Sequence, residues 1–103
     1  MKIIEKLSDM IADEIEEAEK YSKCALHYKE EYPIVGETLY KIANEKMNHM
    51  MLLHGQVTAL IEEHKKKNGD IPEGMKMLYE ILHRKHTEHA AAVKGMLTLY
   101  KEI

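Results

Sequence analysis

The 103-residue chain is predicted to fold as an all-α protein, a single antiparallel three-helix bundle with long helices, and three observations carry that reading. Apolar residues recur at alternating steps of three and four through most of the chain, the period of a helix that buries one stripe. Its two prolines, Pro33 and Pro72, both fall in the two short stretches where that period breaks. Hydrophobic residues make up 45% of the chain and charged residues 32%, a balance that suits a compact helical core and not a disordered segment. At this length there is material for one core, so residues 1–103 are read as one domain.

The first helix is expected over residues 2–31. Ile4, Leu7, Ile11, Glu14, Ala18, Tyr21, Ala25, Tyr28 and Tyr32 form its seam, with Met10, Ile15 and Ser22 alongside. Glu14 is the only carboxylate in that series. Asp13, Glu16, Glu17 and Glu19 lie off it and read as a solvated face, where Glu16–Lys20 and Glu19–Lys23 have the i,i+4 order that supports an exposed helix.

Pro33 disfavours helix in the residue before it and suits the first turn of the next helix, so the chain is expected to turn at Glu30-Glu31-Tyr32-Pro33. The second helix is placed at residues 34–67, with Gly36 weakening its start. Its stripe contains Leu39, Ile42, Ala43, Met50, Leu53, Val57, Leu60 and Ile61. Lys46 lands near the centre of that stripe and His49 toward one edge. A charged group in a helical core needs a partner, because desolvating it alone costs several kcal/mol.

Lys65-Lys66-Lys67-Asn68-Gly69 is a helix stop, with cations at the negative end of the dipole and a residue able to turn the backbone. Asp70 and Glu73 read as the capping box of a third helix at residues 71–102. Its stripe runs Met75, Leu78, Tyr79, Leu82, His86, His89, Ala90, Val93, Met96, Leu97 and Tyr100. Helices of about 30 residues would each be roughly 45 Å long.

Counting from the shared turns gives relative heights. Glu14 lies 18 positions before Tyr32, and a like count into the second helix reaches the neighbourhood of His49; a similar count across the second turn reaches His86 and His89. Glu14, Lys46, His49, His86 and His89 are therefore expected to form one buried polar cluster. Imidazole and carboxylate suit iron, zinc or manganese, so Glu14, His49, His86 and His89 are the candidate metal ligands. The competing reading has no cofactor: a buried Glu14–Lys46 ion pair ringed by satisfied histidines.

Glu14 with Ala18 and Tyr21, followed by Ile42-Ala43-Asn44-Glu45-Lys46-Met47-Asn48-His49, resembles the ferritin-like superfamily, in particular small rubrerythrin-like bacterial and phage-encoded proteins. The resemblance covers the first two helices and implies iron or another divalent metal, with Glu14 as the first-helix ligand and His49 as the histidine of Glu-x-x-His. It also implies that oxidase or peroxide chemistry is open to such a site. Two departures stand against it. Lys46 occupies the place of the bridging glutamate, and a protonated lysine cannot ligate; and there is no fourth helix. A literal Glu80-x-x-His83 occurs in the third helix, with Glu80 directed away from the stripe and His83 at its margin.

Two functional expectations follow, a ferritin-like metal protein or a non-catalytic structural or interaction module, and enzymatic activity is left open between them. An open flank on three amphipathic helices favours a homodimer. The net charge of −3 offers no basic surface for nucleic acid, and no apolar run reaches the roughly 20 residues that span a membrane. A single cysteine, Cys24, excludes an internal disulfide and reads as a passive thiol. With Met1 to Leu7 running straight into acidic residues, a cytoplasmic location is expected. His27, His54 and His64 are assigned surface or core-margin roles, and Met47, Met50 and Met51 are read as core filler rather than a soft-metal patch.

Overall fold

A computed structural model describes all 103 residues and contains three helices and no strand. α1 spans Lys2–Tyr28, α2 Pro33–Asn68 and α3 Glu73–Glu102. They form an antiparallel up-down-up bundle with extents of 55 × 19 × 17 Å. The 36 residues of α2 account for the long dimension at about 1.5 Å of rise per residue.

Both turns follow from their local sequence. Tyr32 lies outside the helical region with φ −132° and ψ 73°, Pro33 takes the first helical position, and the chain reverses over residues 29–32. α1 thus ends three residues earlier than predicted. α2 ends at Gly69, whose φ of +80° only glycine adopts without strain and whose amide donates to the Lys65 carbonyl at 3.0 Å. The predicted Asp70–Glu73 capping box does not form. Pro72 holds the N-cap with φ −52° and ψ 142°, and its carbonyl accepts from the Lys76 amide. Proline keeps Ile71 out of the helical region, so the helix starts beyond the place where Asp70 could cap it.

α1 packs extensively along α2 and less along α3, whereas α2 and α3 touch only sparingly. The core consists of Ile11, Ile15, Ala18, Ala43, Met47, Met50, Ala90, Val93 and Leu97, with Tyr21, Tyr40, Leu53 and Val57 packed against it. This arrangement rotates two of the predicted stripes. Because α1 must face two helices, its buried line bisects them and runs through Ile4, Ile11, Ile15, Ala18, Ser22 and Ala25. Leu7, Glu14 and Tyr21 move to the margin. On α2 the buried line is Gly36, Ala43, Met47 and Met50, which carries Lys46 from the predicted centre to the edge.

The end of the bundle near the first turn is tied by Tyr100. Its ring stacks on Tyr40 with centroids 4.6 Å apart, and Lys29 lies over its face while donating to its carbonyl. Gly36 admits this approach: a Cβ there would lie 3.2 Å from Lys29 Cα and 3.3 Å from the Tyr100 hydroxyl.

Candidate functional site

The polar residues singled out in the sequence occupy neighbouring heights but three different seams. On the α1–α2 seam, Glu14 Oε2 lies 3.3 Å from His49 Nδ1 and 3.7 Å from Lys46 Nζ. The closer partner of Lys46 is Glu17, at 2.8 Å. Its ammonium thus reaches outward between two carboxylates while its stem covers the helix interface, as long cationic side chains do at a packing edge. The Lys46 side chain is 25% exposed and that of His49 50% exposed, so the cluster is half open to water and not the dry interior expected.

Glu17 is held below the usual carboxylate range, first by the hydrogen bond from Lys46 and then by its charge. The Lys46 ammonium is stabilised in return, mainly by that same bond. A charge-assisted hydrogen bond favours the ionised form of both partners. Glu17, assigned to the solvated face from sequence, is thereby the residue missed at this site. Its i,i+3 relation to Glu14 was the available signal, since residues at that spacing share a helix face.

His89 belongs to the α1–α3 seam. Its Nε2–H donates to Glu19 Oε2 at 2.7 Å, and Glu19 also accepts from Lys23 at 3.1 Å. Those two hydrogen bonds, Lys23 first and His89 second, hold Glu19 below its ordinary value. The predicted Glu19–Lys23 pair is therefore present and carries a third member from α3.

His86 faces the α2–α3 seam, where it lines a groove of about 250 Å³ together with His54, His83, Val57, Ile61 and Leu82, over a floor of Ile4, Ser8 and Ile11. The His54 and His83 rings lie 5.0 Å apart. Burial holds the His86 imidazole below its ordinary value, and the neighbouring His54, His83, Lys85 and His89 act in the same direction. His54, given a surface or core-margin role from sequence, is half-buried as that role implies, but its grouping with His83 and His86 was missed because it crosses between the two helices that pack least.

Of the four candidate ligands, only Glu14 and His49 are brought together; His89 and His86 stand with other partners. The protein contains no group of three or more His, Cys, Asp or Glu side chains arranged to hold a metal ion as they stand. The physical reason is angular. Counting along helices gives height, whereas the direction in which a side chain leaves a three-helix bundle depends on which of three seams it faces. Cys24 is a free, partly buried thiol. No helix is long and apolar enough to cross a membrane. Comparison of the chain with protein-family models, curated proteins and solved structures finds no match.

Proposed function

We propose that the chain is a non-catalytic helical assembly module of ferritin-like shape, whose bundle is completed by a second copy. The observation that carries this reading is the separation of α2 from α3, which leaves the apolar groove uncovered along Val57, Ile61 and Leu82. Buried residues number only 15 of 103, and large apolar side chains remain outside the core. Small bundles with such a deficit gain most by burying more apolar area, at about 25 cal/mol per Å². The chain also supplies a matching ridge. Met77, Leu78 and Ile81 project from α3 with Ile81 55% exposed, so in a two-fold pairing each ridge has a groove of the same chemistry on the partner. Lys46, paired with Glu17 and Glu14, supports a structural use of the position where a metal-binding relative would carry a ligand.

Sedimentation equilibrium tests this directly. The expected mass is twice the 12.0 kDa of one chain, and Ile81→Glu, at an exposed position, is expected to return it to one chain mass with helix content unchanged. A single-chain mass for the unmodified protein at high micromolar concentration overturns the reading. The 3.3 Å approach of Glu14 to His49 favours a second reading, an iron or other divalent site built on that pair. Metal analysis after incubation with Fe(II) separates the two: binding that Glu14→Gln and His49→Ala both remove supports the second, and no retained metal removes it.

A further inference from the structure

His54, His83 and His86 differ from the other histidines near the helix seams in one respect. The rings of His49, His64 and His89 each have a side-chain partner, Glu14, Asn68 and Glu19 respectively. The ring nitrogens of His54, His83 and His86 make no hydrogen bond to any protein group, although all three side chains converge on the same groove. Imidazoles gathered around one groove, with ring nitrogens free of protein partners, are a strong donor set for late first-row divalent ions.

The spacing fits that use. In a tetrahedral zinc site, with Zn–N of about 2.0–2.1 Å, two ligating imidazoles have their ring centres about 5 Å apart. The His54 and His83 rings are 5.0 Å apart across α2 and α3, tilted by 46°. His86 stands one turn beyond His83 on the same face of α3 and lines both cavities that the pair lines. No Lys or Arg side chain lines the groove on the His54–His83 side facing Ile4 and Ile11, and Lys85 acts on His86 only from outside that lining. Lys94 lines the adjoining cavity beyond His86, Thr87 and Ala90.

We propose that His54, His83 and His86 together bind one divalent cation of the zinc class, bridging α2 to α3. The His54 and His83 rings are already at the centre-to-centre separation such a pair requires. No three side chains are arranged to hold an ion as they stand, so binding requires the imidazoles to rotate, His86 furthest, to close the ligand set. Water fills the fourth position. The ion joins the two helices with the weakest mutual packing, so binding is coupled to stability: what binds the folded chain and not the unfolded one raises the unfolding temperature. All three ligands come from one chain, so the site does not require the self-association proposed above; because both use the same groove, Ile81→Glu, expected to be a single chain, is expected to bind Zn2+ as well, which keeps the two tests apart.

The experiment uses the full chain without an affinity tag, stripped with EDTA and titrated with ZnCl2 and with CoCl2 at neutral pH. One equivalent of Zn2+ per chain is expected, with a higher unfolding temperature and, for Co2+, the intense visible absorption of a four-coordinate ion. His54→Ala and His83→Ala are each expected to weaken binding at least tenfold, and His86→Ala to weaken it less. His49→Ala and His89→Ala are expected to leave it unchanged. Should any of the first three variants lose helix content, broadening of the ring-proton resonances of all three histidines by Co2+ in the unmodified chain provides the same assignment. Failure of Zn2+ to bind, binding indifferent to His54→Ala and His83→Ala, or binding abolished by His49→Ala would each overturn the proposal. The last of these would place the ion at the Glu14–His49 pair instead.

Discussion

Replacing Gly36 by alanine tests a close approach between helices, and the outcome differs in sign from the same change at Gly55 and Gly95. All three glycines lie inside helices, where alanine is favoured by about 1 kcal/mol. At Gly55 and Gly95 an added Cβ meets nothing within 4 Å, so each substitution is expected to realise that gain. At Gly36 the Cβ would sit 3.2 Å from Lys29 Cα, 3.3 Å from the Tyr100 hydroxyl and 3.4 Å from the Ala25 carbonyl oxygen. Two of those three atoms are backbone, one in α1 and one at the start of the turn that follows it, and they can withdraw only by opening that short turn at residues 29–32. Tyr100 can withdraw only by leaving its stack on Tyr40 and its contact with Lys29. Overpacking of this kind costs roughly 1–3 kcal/mol, which outweighs the helix preference. A net loss of about 1 kcal/mol is expected for Gly36→Ala, or roughly 5 °C in Tm for a domain of this size, against a rise of similar size for Gly55→Ala and for Gly95→Ala. Thermal unfolding followed by far-ultraviolet circular dichroism reads all three. If Gly36→Ala is stabilised as much as the other two, the close packing of α1, α2 and the end of α3 around this position is wrong.

Three further substitutions or conditions probe other parts of the fold. Ser22, 1% exposed, has a hydroxyl with no hydrogen-bond partner, so Ser22→Ala is expected to raise stability by about 1 kcal/mol, read from the urea midpoint; a loss would mean that the hydroxyl has an acceptor. Ile15→Ala, at a fully buried core position, is expected to cost about 2–5 kcal/mol by the same assay, and a cost below about 1 kcal/mol would argue against the α1-centred core. Glu17 and Glu19 have carboxyls held below their ordinary range, so the stability they contribute is complete above the unfolded value near about 4.3 and is lost as the pH falls through their folded values. Urea midpoints between neutral pH and pH 3 should fall accordingly, and Lys46→Met, which removes the chief cause for Glu17, should flatten its share of the fall; an unchanged slope would show that the Lys46–Glu17 bond does not persist in solution.

Element type and order were legible because they depend on local chemistry. The three-and-four spacing marks the helices, Pro33 opens α2 in both the prediction and the structure, and Gly69 closes it with the one positive φ in the chain. The Glu14–His49 contact was also within reach, since a tight turn makes the height of one helix a function of the other. Burial was less accessible. Lys46 satisfies the hydropathy pattern of a core position, yet a rotation of the buried face onto Ala43, Met47 and Met50, within the arc an apolar stripe spans, moves it to the edge. Gly36 and Gly55 look alike in sequence, and only the path of α1 and α3 distinguishes the tight position from the open one.

Composition and periodicity alone thus determined that this is an all-helical chain with reversals at Tyr32-Pro33 and Asn68-Gly69, because these features arise within a few residues of backbone. The tertiary structure decided how the polar residues are shared among seams: Glu17 with Lys46, Glu19 with His89, and His86 with His54 and His83. Those partnerships depend on how far each helix is turned about its own axis. That angle is set by packing all three helices at once, and no single stretch of sequence contains it.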